Sequence, residues 1–388
     1  MWTRFAKSLR CALSGEPLEL VTFSGHQERL LPDHLRRAER LGLGTGADFS
    51  TWIDTGLLLA ESARIAYPIA RGLPVLLPYE TAIHLRFEED HARELRRFRP
   101  RYSFPSVAPK PGEHAVLRSF SREWSGYQYD GVIWDVSYAD NHQRFVAEIG
   151  VDRPASPPPT FLEIGCGIGM TTAQAQAHFQ GDAVGVDLSL AVLGAAQNFR
   201  TNPFLHFVQA SAFSLPFERA SFDVVYSRGV LHHTYSTQEA FRSVAQFTKA
   251  GGRFYLWVYG PGSINDTMFR RVAYAVEATL RPVLSRAPSI IGTAVLAPIA
   301  LGYIGYNRLR RAADETVQQF TFSRALHSAR DRFTPRYAHR QPATEVASWF
   351  RDAGFKDIDV VDWRRIPTAD QDDYRRNTGV RGERAAVA

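Results

Sequence analysis

Cysteine occurs twice in this sequence, at Cys11 and Cys166, and lysine four times, at Lys7, Lys110, Lys249 and Lys356. Two cysteines so far apart argue against a structural disulfide and fit a reducing, cytoplasmic setting. With lysine so rare, the basic excess, a net charge of +6, is almost wholly arginine. Arginine favours bidentate partners such as carboxylates and phosphates. Its residues are scattered, however, with small clusters only at Arg96-Arg97 and Arg308–Arg311. No compact basic stripe with interleaved aromatics is visible, which argues against a nucleic-acid surface.

Long apolar runs are also lacking. The start, MWTRFAKSLRCALSG, carries charges with no apolar run behind them, so no secretory signal is expected. Residues 290–306, IIGTAVLAPIALGYIGY, are uncharged, but they hold Pro298 and three glycines. The run stops just short of the roughly 20 residues a spanning helix needs. It reads as a buried helix pair or the wall of an apolar pocket; contact with a membrane surface is the second reading.

What is present is ample core material. The chain has 388 residues, 45% of them hydrophobic, enough for two or three domains. Proline-rich breaks at 99–114 and 152–160 divide it. From 161 onward apolar strands alternate with helical segments. TFLEIG, AVGVDLS (183–189), LHFVQA (205–210), SFDVVYSRGV (221–230) and RFYLWVY (253–259) read as strands. MTTAQAQAHFQG reads as a helix ended by Gly181, and FRSVAQFTKAGG as a helix with glycines at its end. The alternation predicts an α/β fold with a doubly wound, mostly parallel sheet. Residues 263–340 look helical throughout, with Phe269, Val272, Val276 and Leu280 at helical spacing until Pro282. A helix at 342–355 and a strand KDIDVVDW then resume the sheet domain. The stretch 263–340 is therefore an insertion at the carboxyl edge of the fifth strand, where ligands of open α/β sheets bind.

The chemistry concentrates at FLEIGCGIG, residues 161–169. Glu163, Gly165, Gly167 and Gly169 stand at alternate positions between a strand and a helix. A dinucleotide fingerprint would read G-x-G-x-x-G; here the third glycine comes one residue early. Asp187, 18 positions after Gly169 at the next strand end, is suitably placed to hold ribose hydroxyls.

This pattern resembles the class I S-adenosylmethionine-dependent methyltransferases, over about 161–260 and 341–366. LEIGCGIG is similar to that family's first motif, VGVDLS to its ribose-binding strand end, LPFERASFDVVYSRGVLHHT (215–234) to its next block, and AGGRFYLWVYG to its fifth-strand turn. The resemblance implies a Rossmann-like domain with S-adenosylmethionine as cofactor. Gly165, Gly167 and Gly169 would shape the loop under the methionine part, Glu163 would order that loop, and Asp187 would take the ribose. Cys166, Leu188, Ala212, Phe213, Ser227 and Arg228 are the further cofactor-site candidates, Cys166 as a small wall residue. Ser211 stands where the family often has an aspartate near the adenine amine, a departure, although a serine hydroxyl can still accept a hydrogen bond there.

Methyl transfer needs an acceptor held in line with the methyl carbon, away from water, and for a hydroxyl or amine a base. His232 and His233, just after the fourth strand, are candidates for that base, as are Tyr259 and, at the end of the insertion, Tyr337 and His339. Each also reads as an ordinary cap or wall residue. The aromatics Trp124, Tyr127, Tyr129 and Trp134, before the sheet domain, read as an enclosure of cofactor and substrate or as interdomain core.

The front of the chain, about 7–85, resembles the small zinc-ribbon domain of methyltransferase activators, most specifically in AYPIARGLPVLL. Of the paired cysteines only Cys11 remains, with Ser14 in its partner's place. A tetrahedral zinc site needs four ligands, so no metal is expected.

The expected division is 1–98, a zinc-less ribbon-like α+β domain; 99–160, a linker with an aromatic-rich helical segment; 161–262 with 341–388, the cofactor domain; and 263–340, a helical substrate cap. The expected activity is methylation of a small hydrophobic or amphipathic acceptor of natural-product, isoprenoid or lipid-linked sugar type. The cap is expected to make the pocket apolar, with Leu296 and Ile299 in its wall. RNA or protein methylation, and a non-catalytic cofactor-binding partner, are the alternatives. Oligomeric state is left open.

Overall fold

Apolar strands of the first 80 residues pair antiparallel before the parallel sheet begins. In the computed structural model, which describes residues 1–124, 132–133, 136–151, 157–261, 268–287, 289–313 and 319–386, β1 (Glu19–Gln27) is followed by helices α1 (Pro32–Arg40) and α2 (Ala47–Ser50). Strands β2 (Thr51–Ala60), β3 (Ile65–Ala70) and β4 (Leu73–Pro74) complete a four-stranded sheet in the order β1-β2-β3-β4. Helices α3 (Ala82–Asp90), α4 (Ala92–Leu95) and α5 (Glu113–Trp124) lead to the short pair β5 (Val132–Ile133) and β6 (Val136–Ser137) and to α6 (Tyr138–Ile149). Ser137 caps α6 by accepting from the Asp140 N–H, and Gly150 closes it in the left-handed conformation. Tyr127, Tyr129 and Trp134 lie outside the described residues.

The main sheet has seven strands in the order β12-β13-β11-β10-β7-β8-β9. Strands β7 (Phe161–Ile164), β8 (Ala183–Asp187), β9 (Leu205–Gln209), β10 (Phe222–Arg228) and β11 (Thr248–Val258) alternate with α7 (Met170–Phe179), α8 (Ala191–Asn198) and α9 (Thr237–Ala245). They pair in parallel. Every residue of β7 and β9 is buried, as strands covered on both faces require. These are the predicted strands, and the α/β, Rossmann-like, mostly parallel sheet is the expected fold.

Three local expectations are corrected. The α7 helix closes on Gln180, at φ +63°, rather than on Gly181. A Cβ on Gly181 would instead meet the Pro159 carbonyl at 2.2 Å, so close backbone approach explains that glycine. The helix predicted through residue 252 stops at Ala245, because Thr248 already pairs with Phe222; the register then jumps to Val224↔Arg253 past Gly251 at φ +73°. A seventh strand, β13 (Thr378–Arg384), runs antiparallel between β11 and β12 (Phe355–Val360) and was not predicted.

Between β11 and α13 (Ala343–Asp352) stand α10 (Met268–Leu284), α11 (Ser289–Ala313) and α12 (Phe322–Phe333). The short α14 (Gln371–Tyr374) precedes β13. The 290–306 run is one stretch of the continuous α11, not a helix pair. Leu296 is buried with Leu284, Ala329 and Phe333 in a core internal to these helices, whereas Leu301 on the same helix is 60% exposed. Among the described residues no helix is long and apolar enough to cross a membrane.

The two sheets meet at the β9 edge. Leu76 donates its N–H to the Gln209 carbonyl at 2.8 Å, and Val75 bridges Gln209 in parallel. Trp2 donates from its indole to the Asn202 carbonyl at 3.1 Å, and Arg4 pairs with Asp182. The edge strand is thereby covered rather than left open for pairing.

Candidate active site

One large cavity, about 940 Å³, opens at the carboxyl edge of the parallel strands. Its wall includes Glu163, Gly165, Cys166, Gly167, Asp187 and Leu188. Ser211, Ala212, Phe213, Arg228, His233 and Tyr259 also reach it. Gly169, Ser227 and His232 do not.

The glycines divide by task. Gly165, at φ +79°, lies so close to Val230 that a Cβ would sit 2.1 Å from it. Gly169, at φ +85°, caps α7, and a Cβ there would meet Phe207 at 2.7 Å. Gly167, at φ +53°, faces the cavity, with the Trp124 ring 3.8 Å from an added Cβ. Packing fixes the outer glycines; open approach for a ligand distinguishes the middle one.

Asp187 accepts from the Gly167 N–H at 2.8 Å and the Ser189 N–H at 2.7 Å, so one carboxylate ties the loop to the next strand end. Burial raises its pKa, opposed by these backbone bonds. Glu163 accepts from the Thr172 hydroxyl at 2.5 Å, joining β7 to α7. Burial pushes it up to about 8. Cys166 is buried, and its thiol is pushed well above its ordinary value by burial and by Asp187 and Glu163. It is a small wall residue without thiolate character.

Ser211 does not act alone. Its hydroxyl donates to Glu113, a buried carboxylate from α5, and accepts from the Phe213 N–H at 3.2 Å. Glu113 also accepts from the Lys110 N–H at 3.0 Å and lines the cavity. No local pattern around 113 marks it in the sequence. Ser227 instead turns into the sheet and donates to the Ile164 carbonyl at 3.3 Å. Arg228 reaches the cavity but is held structurally, 4.5 Å over the Trp257 ring and paired with Glu148 at 3.0 Å and Asp373 at 2.9 Å.

The histidine pair separates. His232 is fully buried, its ring tilted against Tyr259 with centroids 4.0 Å apart, and burial drives its pKa well down; it is a neutral packing residue. His233 donates from Nδ1 to the Tyr337 carbonyl at 2.8 Å. A neutral ring so held carries its lone pair on Nε2. That atom has no hydrogen bond among the described residues and lies 3.6 Å from Asp331 of α12. Tyr259 donates to the other oxygen of Asp331. Burial and Asp331 keep its phenol well above the ordinary value, which excludes it as a base. Burial would raise Asp331, but the nearby His233 ring and the Tyr259 hydrogen bond outweigh it and hold the carboxyl low. Behind this group His327 meets Glu123 at 3.0 Å. Tyr337 contributes only its carbonyl, and His339 donates its N–H to the His232 carbonyl at 2.9 Å, outside the wall. Asp331 was missed, although His327 and Asp331 share one helical face at i, i+4.

The cap half of the wall is more polar than expected: Tyr274, Glu277, Tyr303, Asn307 and Arg332 line it beside Ile299. Leu296 is not in the wall, because its side chain packs within the cap core. Among the described residues no group of three or more His, Cys, Asp or Glu is placed to hold a metal.

This sheet order and glycine loop define a Rossmann-like, class I cofactor-binding fold. Residues 162–256 match the family model described as a methyltransferase domain. The match runs from β7 to β11 of the parallel sheet. It is 32% identical over 114 residues to the O-methyltransferase cnsE of Penicillium expansum, covering 28% of this chain and 41% of that protein. To the uncharacterized methyltransferase YcgJ of Bacillus subtilis it is 35% identical over 98 residues, 24% of this chain and 38% of the relative. The chain thus spans less than half the length of either relative. The crystal structure of YcgJ aligns at 17% identity and a TM-score of 0.37, over 64% of this chain and all of that one, a likeness too low to carry an argument.

Proposed function

We propose that the whole chain is an S-adenosylmethionine-dependent methyltransferase acting on a small amphipathic acceptor, with His233 as general base. One observation carries this reading: the glycine loop with its carboxylates and the His233–Asp331 pair open into the same cavity. At about 940 Å³ that cavity lies at the upper end of ordinary ligand sites and has room for cofactor and acceptor together.

The residues fit the cofactor. The open face of Gly167 admits the methionine part, Asp187 takes the ribose, and Glu113, presented through Ser211, accepts from the adenine amine in place of the family's aspartate. When bound, S-adenosylmethionine supplies an electrophilic methyl group on a sulfonium. The chain orients the acceptor and shields it from water; positioning of this kind contributes about 7–11 kcal/mol. His233 Nε2 would take the proton that the acceptor oxygen or nitrogen loses on methylation. The Asp331 carboxylate then stabilises the imidazolium, and Tyr259 keeps Asp331 in place.

The same reading keeps the division into 1–98, 99–160, 161–262 with 341–388, and 263–340, since α12 of the last segment supplies Asp331. Residues 1–98 are read as a zinc-ribbon-like module working without metal. Support comes from Cys11, whose thiol meets the Tyr67 hydroxyl at 3.3 Å and the Ser14 N–H at 3.5 Å, contacts of a packed thiol. Calorimetry with S-adenosylmethionine, followed by formation of S-adenosylhomocysteine in the presence of candidate acceptors, tests the activity. Absence of cofactor binding by the folded chain refutes it.

A further inference from the structure

The polar half of the cavity gathers more guanidiniums than carboxylates around Glu277. Glu277, buried on α10, accepts from Arg281 and from Arg340, the latter at 3.2 Å to each carboxylate oxygen. The Arg340 guanidinium is fixed over Tyr274 at 4.2 Å and Tyr259 at 5.4 Å. Arg332, one residue after Asp331, has Glu277, Tyr303, Tyr259 and Tyr274 as its titratable neighbours. Among the described residues it makes no ion pair, and the Tyr303 phenol stands near it. Asp331 is already engaged by Tyr259 and His233. Three guanidiniums thus gather around one carboxylate, and the unpaired one, Arg332, lines the cavity while Arg281 and Arg340 stand behind it.

A half-buried guanidinium that lines a cavity without an ion-pair partner leaves its fork open to an anionic ligand group. Its planar fork matches a phosphate or carboxylate bidentately. We infer that Arg332 anchors an oxyanion group of the methyl acceptor, phosphate or carboxylate, beside Tyr259 and Tyr303. This deepens the proposed function and rests on it: the anchored end lies next to the His233–Asp331 pair, while Phe120, Trp124 and Ile299 in the same wall take an apolar remainder.

The test uses the full chain saturated with S-adenosylhomocysteine, titrated calorimetrically with octyl phosphate, octanoate and octanol. At least one anion is expected to bind at least about tenfold more tightly than the alcohol, the scale of a charge-assisted hydrogen bond. Preference for octyl phosphate identifies a phosphate-bearing acceptor; preference for octanoate identifies a carboxylate. Arg332→Gln should abolish the margin over octanol with S-adenosylhomocysteine affinity unchanged, and Arg332→Lys should retain part of it. Equal binding of anions and alcohol by the wild type, or an undiminished margin in either variant, overturns the anchor. Failure of the wild type to bind S-adenosylhomocysteine overturns the methyltransferase reading instead. The same titrations without that ligand then decide the anchor separately.

Discussion

Ser211, just past the third parallel strand, donates a hydrogen bond from its hydroxyl to Glu113, a buried carboxylate 98 residues earlier in the chain. A carboxylate that the strand itself lacks is brought to the cavity wall by α5. If it reads the adenine amine, Glu113→Gln should weaken S-adenosylhomocysteine binding about tenfold, the scale of one charge-assisted hydrogen bond. The variant should also lose discrimination against S-inosylhomocysteine, which lacks that amine. Calorimetry with both ligands checks this, and preserved discrimination would remove Glu113 from adenine recognition.

His233→Ala should lower kcat by about 10²–10⁴-fold, the range for a lost general base, with cofactor affinity intact. Asp331→Asn should lower kcat less, since the imidazolium loses its carboxylate. An Asp331→Asn enzyme with wild-type kcat would mean that Asp331 serves only the fold.

Glu163 gives a pH dependence of definite sign. Its carboxyl holds a proton in the folded chain up to about 8, against an ordinary value of 4.5. Above pH 4.5 the unfolded chain has released that proton while the folded chain retains it, so this group's contribution to stability falls as pH rises through the window to 8. Glutamine does not titrate. Urea unfolding of ligand-free protein should therefore show wild type and Glu163→Gln closest near pH 5, with the wild type falling progressively behind by pH 8. A pH-independent difference would show that Glu163 is ionised throughout.

Two glycine substitutions should have opposite signatures. Gly165→Ala drives a methyl group into Val230, so it should destabilise the fold by at least about 1 kcal/mol, more than the ordinary cost of a left-handed alanine. Gly167→Arg meets open cavity, so it should cost only about 1 kcal/mol, that of a left-handed side chain, while abolishing S-adenosylmethionine binding. Unchanged cofactor affinity in Gly167→Arg would displace the binding site from this loop.

The parallel strands were legible because strands buried on both faces are short, continuous apolar runs, FLEI and LHFVQ among them. The glycine loop was legible because its backbone demands glycine. Strand β13, TGVRGER, escaped because it contributes little apolar surface: Gly379 and Gly382 are small so that Tyr255 and Phe350 can pack against them. Glu113 and Asp331 escaped for another reason. Both are ordinary helical carboxylates until tertiary packing sets one against Ser211 and the other against His233. The cap misled in the opposite direction, since its uncharged run supplies Leu296 to the cap's own core and leaves the cavity wall to residues spaced between.

The hydrogen bond from Leu76 to Gln209 reaches beyond sheet extension. Gln209 stands two residues before Ser211, so the strand that runs into the Ser211–Glu113 pair is clamped by β8 on one flank and by the front sheet on the other. Opening at Leu76 strips one flank from that strand. The slowest-exchanging amides of β3 and of β9 should therefore report a single cooperative opening rather than two. An element that chain order would cast as an appendage is, mechanically, part of the floor beneath the ligand.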